Sequence, residues 1–263
     1  MSSTAPLRRL SLRDQFFLSI HWFGLNFHWG ALLAVAIPAE VLKFASEAEK
    51  GRALATVFSV GAFVALVVMP IAGALSDRSM ARLGRRRPFI IAGTLLNALA
   101  LLALGYAPTL ALFAAAFWFL QFANNFGGTA YSGLIPDLVP DEQRGSASGF
   151  MGLMTMLGTV IAAVVAGILM ERELAIPLYL TIIAVLLATM LVTVWKVREH
   201  PLVQRPPFNL REFLAAFWVD PRRHPDFAWL FLSRFLTLMG FYTLLTFLQF
   251  FLKDYLGIPN FKE

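Results

Sequence analysis

Seven stretches of this chain are long and apolar enough to cross a lipid bilayer, and that removes most of fold space. They run Phe16–Pro38, Ala53–Leu75, Pro88–Tyr106, Leu110–Leu134, Ser146–Met170, Ile176–Trp195 and Phe227–Leu252. A spanning helix needs about 20 mostly apolar residues. The runs are uninterrupted, whereas the strands of a membrane barrel would alternate between apolar and polar side chains. The expected fold is therefore all-α and integral to the membrane. Composition agrees. Only 14% of the 263 residues are charged and 58% are hydrophobic, whereas a soluble domain usually carries about 25% charged residues. The first stretch is not expected to be a cleaved signal, since it is too long and holds His21, Asn26 and His28.

The connections set topology. Leu134 to Ser146 and Met170 to Ile176 are short, so the helices they join must be antiparallel. One connection is long, and its segment Asn209–Val219 reads as an amphipathic helix with Asn209 as N-cap. Phe213, Leu214, Phe217 and Trp218 would form its apolar face, lying on the membrane surface. The expected organisation is a terminal segment 1–15, a six-helix lobe 16–196, a linker 197–226 and a seventh helix within 227–263. Lys and Arg are unevenly shared between the two sides of the membrane, fifteen against six, with Arg234 inside the seventh helix. Basic loops stay in the cytoplasm, so the N-terminus is placed there and the chain in the cell membrane. The same topology accounts for the net charge of +6 without a nucleic-acid partner.

The loop between the second and third stretches is the most specific signal. It reads Gly73-Ala-Leu-Ser-Asp77-Arg78, then Arg82-Leu-Gly84-Arg85-Arg86-Arg87-Pro88. Asp77 can accept from N–H groups at a helix end and pair with an arginine. Gly84 permits a tight turn, and Pro88 suits the first turn of a helix. A second segment, Pro136-Asp137-Leu-Val-Pro140-Asp141-Glu142-Gln-Arg144-Gly145, joins the fourth and fifth stretches on the same side. There Arg144 could pair with Asp77 or Asp137. Gly145, Gly149 and Gly152 follow at helical spacing and suit close packing of another helix.

These two segments resemble the loop signatures of the major facilitator superfamily. The longer form seen here, with five residues between Arg78 and Gly84, is similar to the branch of sucrose transporters and glycoside–pentoside–hexuronide carriers. The resemblance implies a major-facilitator N-terminal six-helix lobe plus the first helix of a second lobe. The chain would then stop five helices short of twelve, a truncation with the C-terminal lobe as the missing partner. It also implies that Gly73, Asp77, Arg78, Gly84, Arg85, Arg86, Asp137, Arg144 and Gly145 form a cytoplasmic gating motif.

Polar groups within a membrane are functional candidates by default. On the first helix, His21 and His28 share a face about 10 Å apart, with Asn26 on roughly the opposite side. Histidine can carry a proton near neutral pH, or it can bond a neighbouring helix. On the fourth, Gln121, Asn124, Asn125, Gly128 and Tyr131 or Ser132 form one polar stripe. Amides suit hydroxyl-rich ligands, and they also serve interhelical bonding. In the resembled family both helices line the central cavity. Arg234 lies about 10 Å from the end of its helix, where it could snorkel or meet an anion. No membrane-embedded carboxylate is expected in the six helices of the first lobe.

The functional expectation is a secondary transporter moving a small polar solute, a sugar or glycoside by resemblance, with a proton as the candidate coupling ion. The alternative is an inactive fragment that needs the missing lobe. No cofactor or metal is expected, and the chain has no Cys to supply thiolate ligands or disulfides. An enzyme is disfavoured by the lack of His-Glu-x-x-His, Gly-x-Ser-x-Gly and phosphate-loop motifs. A retinal protein would need a lysine midway along the seventh helix, and none stands between Asp226 and Lys253.

Overall fold

The computed structural model describes residues 9–41, 43–44, 49–199, 209, 211, 213 and 220–250. The described residues are helical with short turns, as the apolar runs predict. The elements are α1 (Leu12–Ala31), α2 (Ile37–Val41), α3 (Lys50–Ser76), α4 (Arg87–Gly105), α5 (Leu110–Ser132), α6 (Leu134–Leu138), α7 (Arg144–Glu171), α8 (Ala175–Lys196) and α9 (Pro225–Phe250). Among the described residues, five segments are long and apolar enough by themselves to span a membrane: Gly51–Ser76, Arg87–Gly105, Leu110–Leu138, Asp141–Glu171 and Ala175–Lys196. The first and seventh stretches also form helices, α1 and α9, although they are not among those five. In α1 the polar residues Gln15, His21, Asn26 and His28 dilute the apolar run.

Helix boundaries follow local chemistry. Ser11 opens α1 with a capping box: its hydroxyl accepts from the Asp14 N–H at 3.1 Å, and the Asp14 carboxylate accepts from the Ser11 N–H at 3.2 Å. Thr109 caps α5 through the Leu112 N–H at 3.3 Å. Pro88 stands in the first turn of α4, where its missing N–H costs nothing. Between α1 and α2 the five residues Leu32–Ala36 form a π turn, with the Ile37 N–H reaching back to the Leu32 carbonyl. This carries the first helix past its expected end at Pro38 and brings Glu40 into it. Glu40 is 6% exposed and paired with Lys43 at 2.7 Å.

The chain divides into two compact units, Met1–Arg205 and Pro206–Glu263. In the first, α1 packs on α7 and α8, α5 packs on α3 and α4, and α4 meets α8. Small residues set the closest approaches. A Cβ on Gly93 of α4 would collide with the Gly127 backbone of α5, and one on Gly158 of α7 would meet the Phe23 carbonyl of α1. Gly145, Gly149 and Gly152 behave differently. No atom lies within 4 Å of a Cβ built on any of them, so no described residue packs there.

In the second unit, α9 begins at Pro225 and carries Arg234 in its third turn. Of the amphipathic segment expected over 209–219, the described residues show one capped turn. The Asn209 side chain accepts from the Arg211 N–H at 3.0 Å, and its carbonyl accepts from the Phe213 N–H at 2.9 Å. The expected apolar-face residues Leu214, Phe217 and Trp218 lie outside the described residues, as do 1–8 of the terminal segment, 200–208 of the linker and 251–263.

Candidate functional site: an ion-pair cluster and two polar helix faces

The loop between α3 and α4 folds around Gly84, whose φ of +114° lies in a region that side chains rarely adopt. That turn sends the Arg86 side chain inward, where it is 7% exposed. Its Nη2 lies 2.7 Å from Asp77 Oδ1, at the end of α3. Its Nε donates to Asp137 Oδ2 of α6 at 2.5 Å, and Nη1 donates to Ser76 Oγ at 3.2 Å. Arg85 pairs with the same Asp137 oxygen. One planar guanidinium thus ties the end of α3, the start of α4 and α6. Gly133 completes the cradle, because a Cβ there would fall on the Arg86 guanidinium.

Glu199, just past α8, closes the cluster from the other side. Its Oε2 accepts from the Arg86 backbone N–H at 2.7 Å, at the N-terminus of α4 where a carboxylate is favoured. Burial, the larger effect, holds this carboxyl above its ordinary value. The N–H groups of Arg86, Arg85 and Arg87 and the Arg87 charge oppose the shift without reversing it.

Of the expected gating residues, Asp77, Gly84, Arg85, Arg86 and Asp137 meet in this cluster. Gly73 is a turn away on α3, and the Ser76 hydroxyl donates to its carbonyl at 3.0 Å. Arg78 is half-buried beside Asp77. Arg144 does something else. It pairs with Asp141, three residues earlier, at 2.9 Å, and both are exposed. The expected pairing of Arg144 with Asp77 or Asp137 is corrected, because Arg86 already occupies both carboxylates. Gly145 adjoins Arg144 in the open first turn of α7.

The intramembrane candidates fall into two groups. His21 and His28 are wholly inside, at 2% and 0% exposure. His21 Nδ1 lies 3.0 Å from Thr189 Oγ1 of α8, and the ring meets Tyr131 edge-on at 4.9 Å. His28 packs edge-on against Trp29 at 4.7 Å, and neither ring nitrogen has a hydrogen-bond partner among the described residues. The second group is half-exposed. On α1 it comprises Trp22, Asn26 and Trp29, spaced four and three apart. Asn26 Nδ2 donates to the Trp22 carbonyl at 2.8 Å and to Thr155 Oγ1 of α7 at 3.3 Å. On α5 it comprises Gln121, Asn124, Asn125 and Gly128. Asn125 bonds back to the Gln121 carbonyl at 2.7 Å, Gln121 lies against Gly61 of α3, and Asn124 accepts from Asn97 of α4 at 3.3 Å.

Tyr131 joins the two helices. Its hydroxyl donates to the Leu18 carbonyl at 2.6 Å and accepts from the Trp22 N–H at 3.2 Å. Arg234 is exposed on α9, within the second unit. Sequence reasoning missed Glu199, Asn97 and Thr189, and it read Ser76 only as part of the loop signature. Each works through a partner on another helix, and no local pattern marks such a partner.

Long apolar helices, polar residues on two of them and a basic turn locked by buried charge are the anatomy of a multi-pass membrane protein. The profile of the Major Facilitator Superfamily matches residues 16–262, and the chain belongs to that family. Among its relatives, a sucrose transport protein of Arabidopsis thaliana is 28% identical over 157 residues, 52% of this chain and 30% of the relative. The general alpha-glucoside permease of Schizosaccharomyces pombe is 31% identical over 121 residues, 40% and 22% respectively. A sucrose transport protein of Oryza sativa subsp. indica is 27% identical over 181 residues, 60% and 35% respectively. The matched stretches thus span about a third or less of each relative's own length.

Proposed function

We propose that this chain forms the N-terminal lobe, linker and following helix of a secondary transporter that moves a sugar or glycoside by alternating access. The reading is carried by Arg86, a buried cation shared by Asp77 and Asp137 at one end of the lobe. Such a cluster stabilises one of two lobe arrangements. The named cargoes of the relatives support a saccharide, and the half-exposed amides Asn26, Gln121, Asn124 and Asn125 are donors and acceptors suited to hydroxyls. His28, buried with both nitrogens free of partners among the described residues, is the candidate carrier of a coupling proton. The N-terminus faces the cytoplasm, in the cell membrane, by the distribution of Lys and Arg. Rocking requires a second lobe to close over these faces. The exposed apolar side chains of α3 and α7, such as Phe63, Leu66, Met156 and Val160, are the surface it would cover.

The test is uptake of labelled sucrose or maltose into vesicles holding the protein together with a second lobe, with and without an inward pH gradient. Saccharide uptake stimulated by the gradient and lost in His28→Ala is expected. Well-folded protein that moves no saccharide would sink the cargo assignment. Gradient-independent uptake would sink proton coupling.

A further inference from the structure

We infer that the open cavity lined by Phe44, the first turns of α3 and the first turns of α5 is a saccharide-binding subsite at the mouth of the transport path. The inference rests on the sugar reading above and names residues outside that reading. The cavity holds about 570 Å³, within the ordinary range of small-molecule sites. It lies at the end of the bundle opposite the Arg86 cluster.

Its walls divide as a sugar ring does. The indole N–H of Trp118 is taken by the Val57 carbonyl at 3.1 Å, so what the ring offers the cavity is hydrocarbon surface held in one orientation. Phe44 is fixed in turn by Phe113, with ring centroids 5.9 Å apart. Flat aromatic surfaces match the C–H face of a pyranose. Around them stand Glu49, Arg52 and Thr56; the Thr56 hydroxyl donates to the Arg52 carbonyl at 2.9 Å, which leaves its oxygen to accept, and the exposed Arg52 guanidinium donates. A lipid tail would need only the floor of Ala53, Val57, Ala111 and Ala114. The polar rim has no use for a tail, and it matches the hydroxyls at a sugar's edge. Ala114, Trp118, Gln121, Asn125 and Gly128 follow one another at spacings of four and three. One continuous face of α5 therefore leads from this cavity to the amide stripe. Both walls belong to the same compact unit, so binding here needs no second lobe.

The test is equilibrium dialysis of labelled sucrose and maltose against the purified chain in lipid nanodiscs, with tryptophan fluorescence read in parallel. Trp118→Leu and Arg52→Gln are each expected to weaken binding about tenfold, and Trp118→Phe to keep most of it. Saccharide should alter the fluorescence of the parent protein and leave that of Trp118→Phe unchanged. Arg52 sits on the exposed rim, so its variant reports on binding even if the Trp118 variants fold poorly. If the parent binds saccharide and Arg52→Gln binds equally well, the subsite is overturned while the transport reading stands. If no saccharide binds and brominated lipid quenches Trp118, the cavity is a lipid groove, and both the subsite and its sugar premise fail.

Discussion

The Tyr131 hydroxyl stands between Leu18 and Trp22, donating to the carbonyl of the first at 2.6 Å and accepting from the N–H of the second at 3.2 Å. These two backbone groups are four residues apart on α1 and would ordinarily bond each other. A side chain of α5 thus shares two hydrogen-bonding groups of α1 and ties the two helices together. Tyr131→Phe removes both contacts while α1 stays helical, so the cost should be modest, about 1 kcal/mol. Thermal unfolding in detergent checks this. A loss several times larger would mean that the start of α1 depends on this hydroxyl.

Removing the charge at the centre of the loop cluster should be far more damaging. Arg86→Gln leaves Asp77 and Asp137 facing each other without their shared cation. Loss of about 3 kcal/mol is expected, the low end for a broken buried pair, because Asp77 is half-exposed. Arg86→Lys should restore little, since an ammonium cannot reach Asp77, Asp137 and Ser76 in one plane. Chemical denaturation of both variants decides the matter. A lysine variant as stable as the parent would show that charge alone matters there.

Glu199 supplies a pH signature. Its folded-state value is raised, with burial as the leading cause. A raised carboxyl stabilises the fold fully below its unfolded value, about 4.3, and loses that contribution as pH climbs through the raised value. Glu199→Gln keeps an oxygen for the Arg86 N–H and does not titrate. The melting temperature of the parent minus that of the variant should therefore fall as pH rises from about 4 to 7. A difference that is flat or rises across that window would contradict the burial argument.

A fourth test concerns the start of α1. The Gln143 side chain grips Leu10 twice: Oε1 accepts from its N–H at 2.8 Å, and Nε2 donates to its carbonyl at 2.9 Å. Close by, Ser146 donates to buried Gln15 at 2.5 Å. Gln143→Ala removes both bonds to Leu10 and should open the start of α1. Trypsin should then cut after Arg9 and Arg13 several times faster, while the global melting temperature moves by only a few degrees. Unchanged cleavage would show that the capping box of Ser11 and Asp14 holds this end unaided.

The helices were legible because burial in lipid leaves so strong a mark: a run of about 20 apolar residues seldom occurs outside a bilayer. The loop cluster was legible in kind and less so in detail. Asp77, Arg86 and Asp137 were all marked, yet Arg85, Arg86 and Arg87 are chemically alike. Only the backbone at Gly84, with φ of +114°, determines which of them turns inward. Arg144 was misassigned for a similar reason, because the sequence does not show which arginine the fold sets beside Asp77 and Asp137. The polar positions on α1 and α5 followed from helical spacing. Spacing cannot tell a bond to a neighbouring helix from exposure to a cavity, and His21, bound to Thr189 of α8, shows the difference. Glu199, 113 residues from the N–H it accepts, left no local trace at all.

The π turn at Leu32–Ala36 alters how this helix is to be counted. It holds one residue more than an α turn would, so everything beyond it is rotated by about 100° relative to what precedes it. Glu40 owes its inward direction to that extra residue. Removing any single residue between 32 and 36 would restore an α turn and rotate the carboxylate out of its buried position. Five substitutions that kept the length would leave it where it is. At this point in the chain, the number of residues carries more information than their identity.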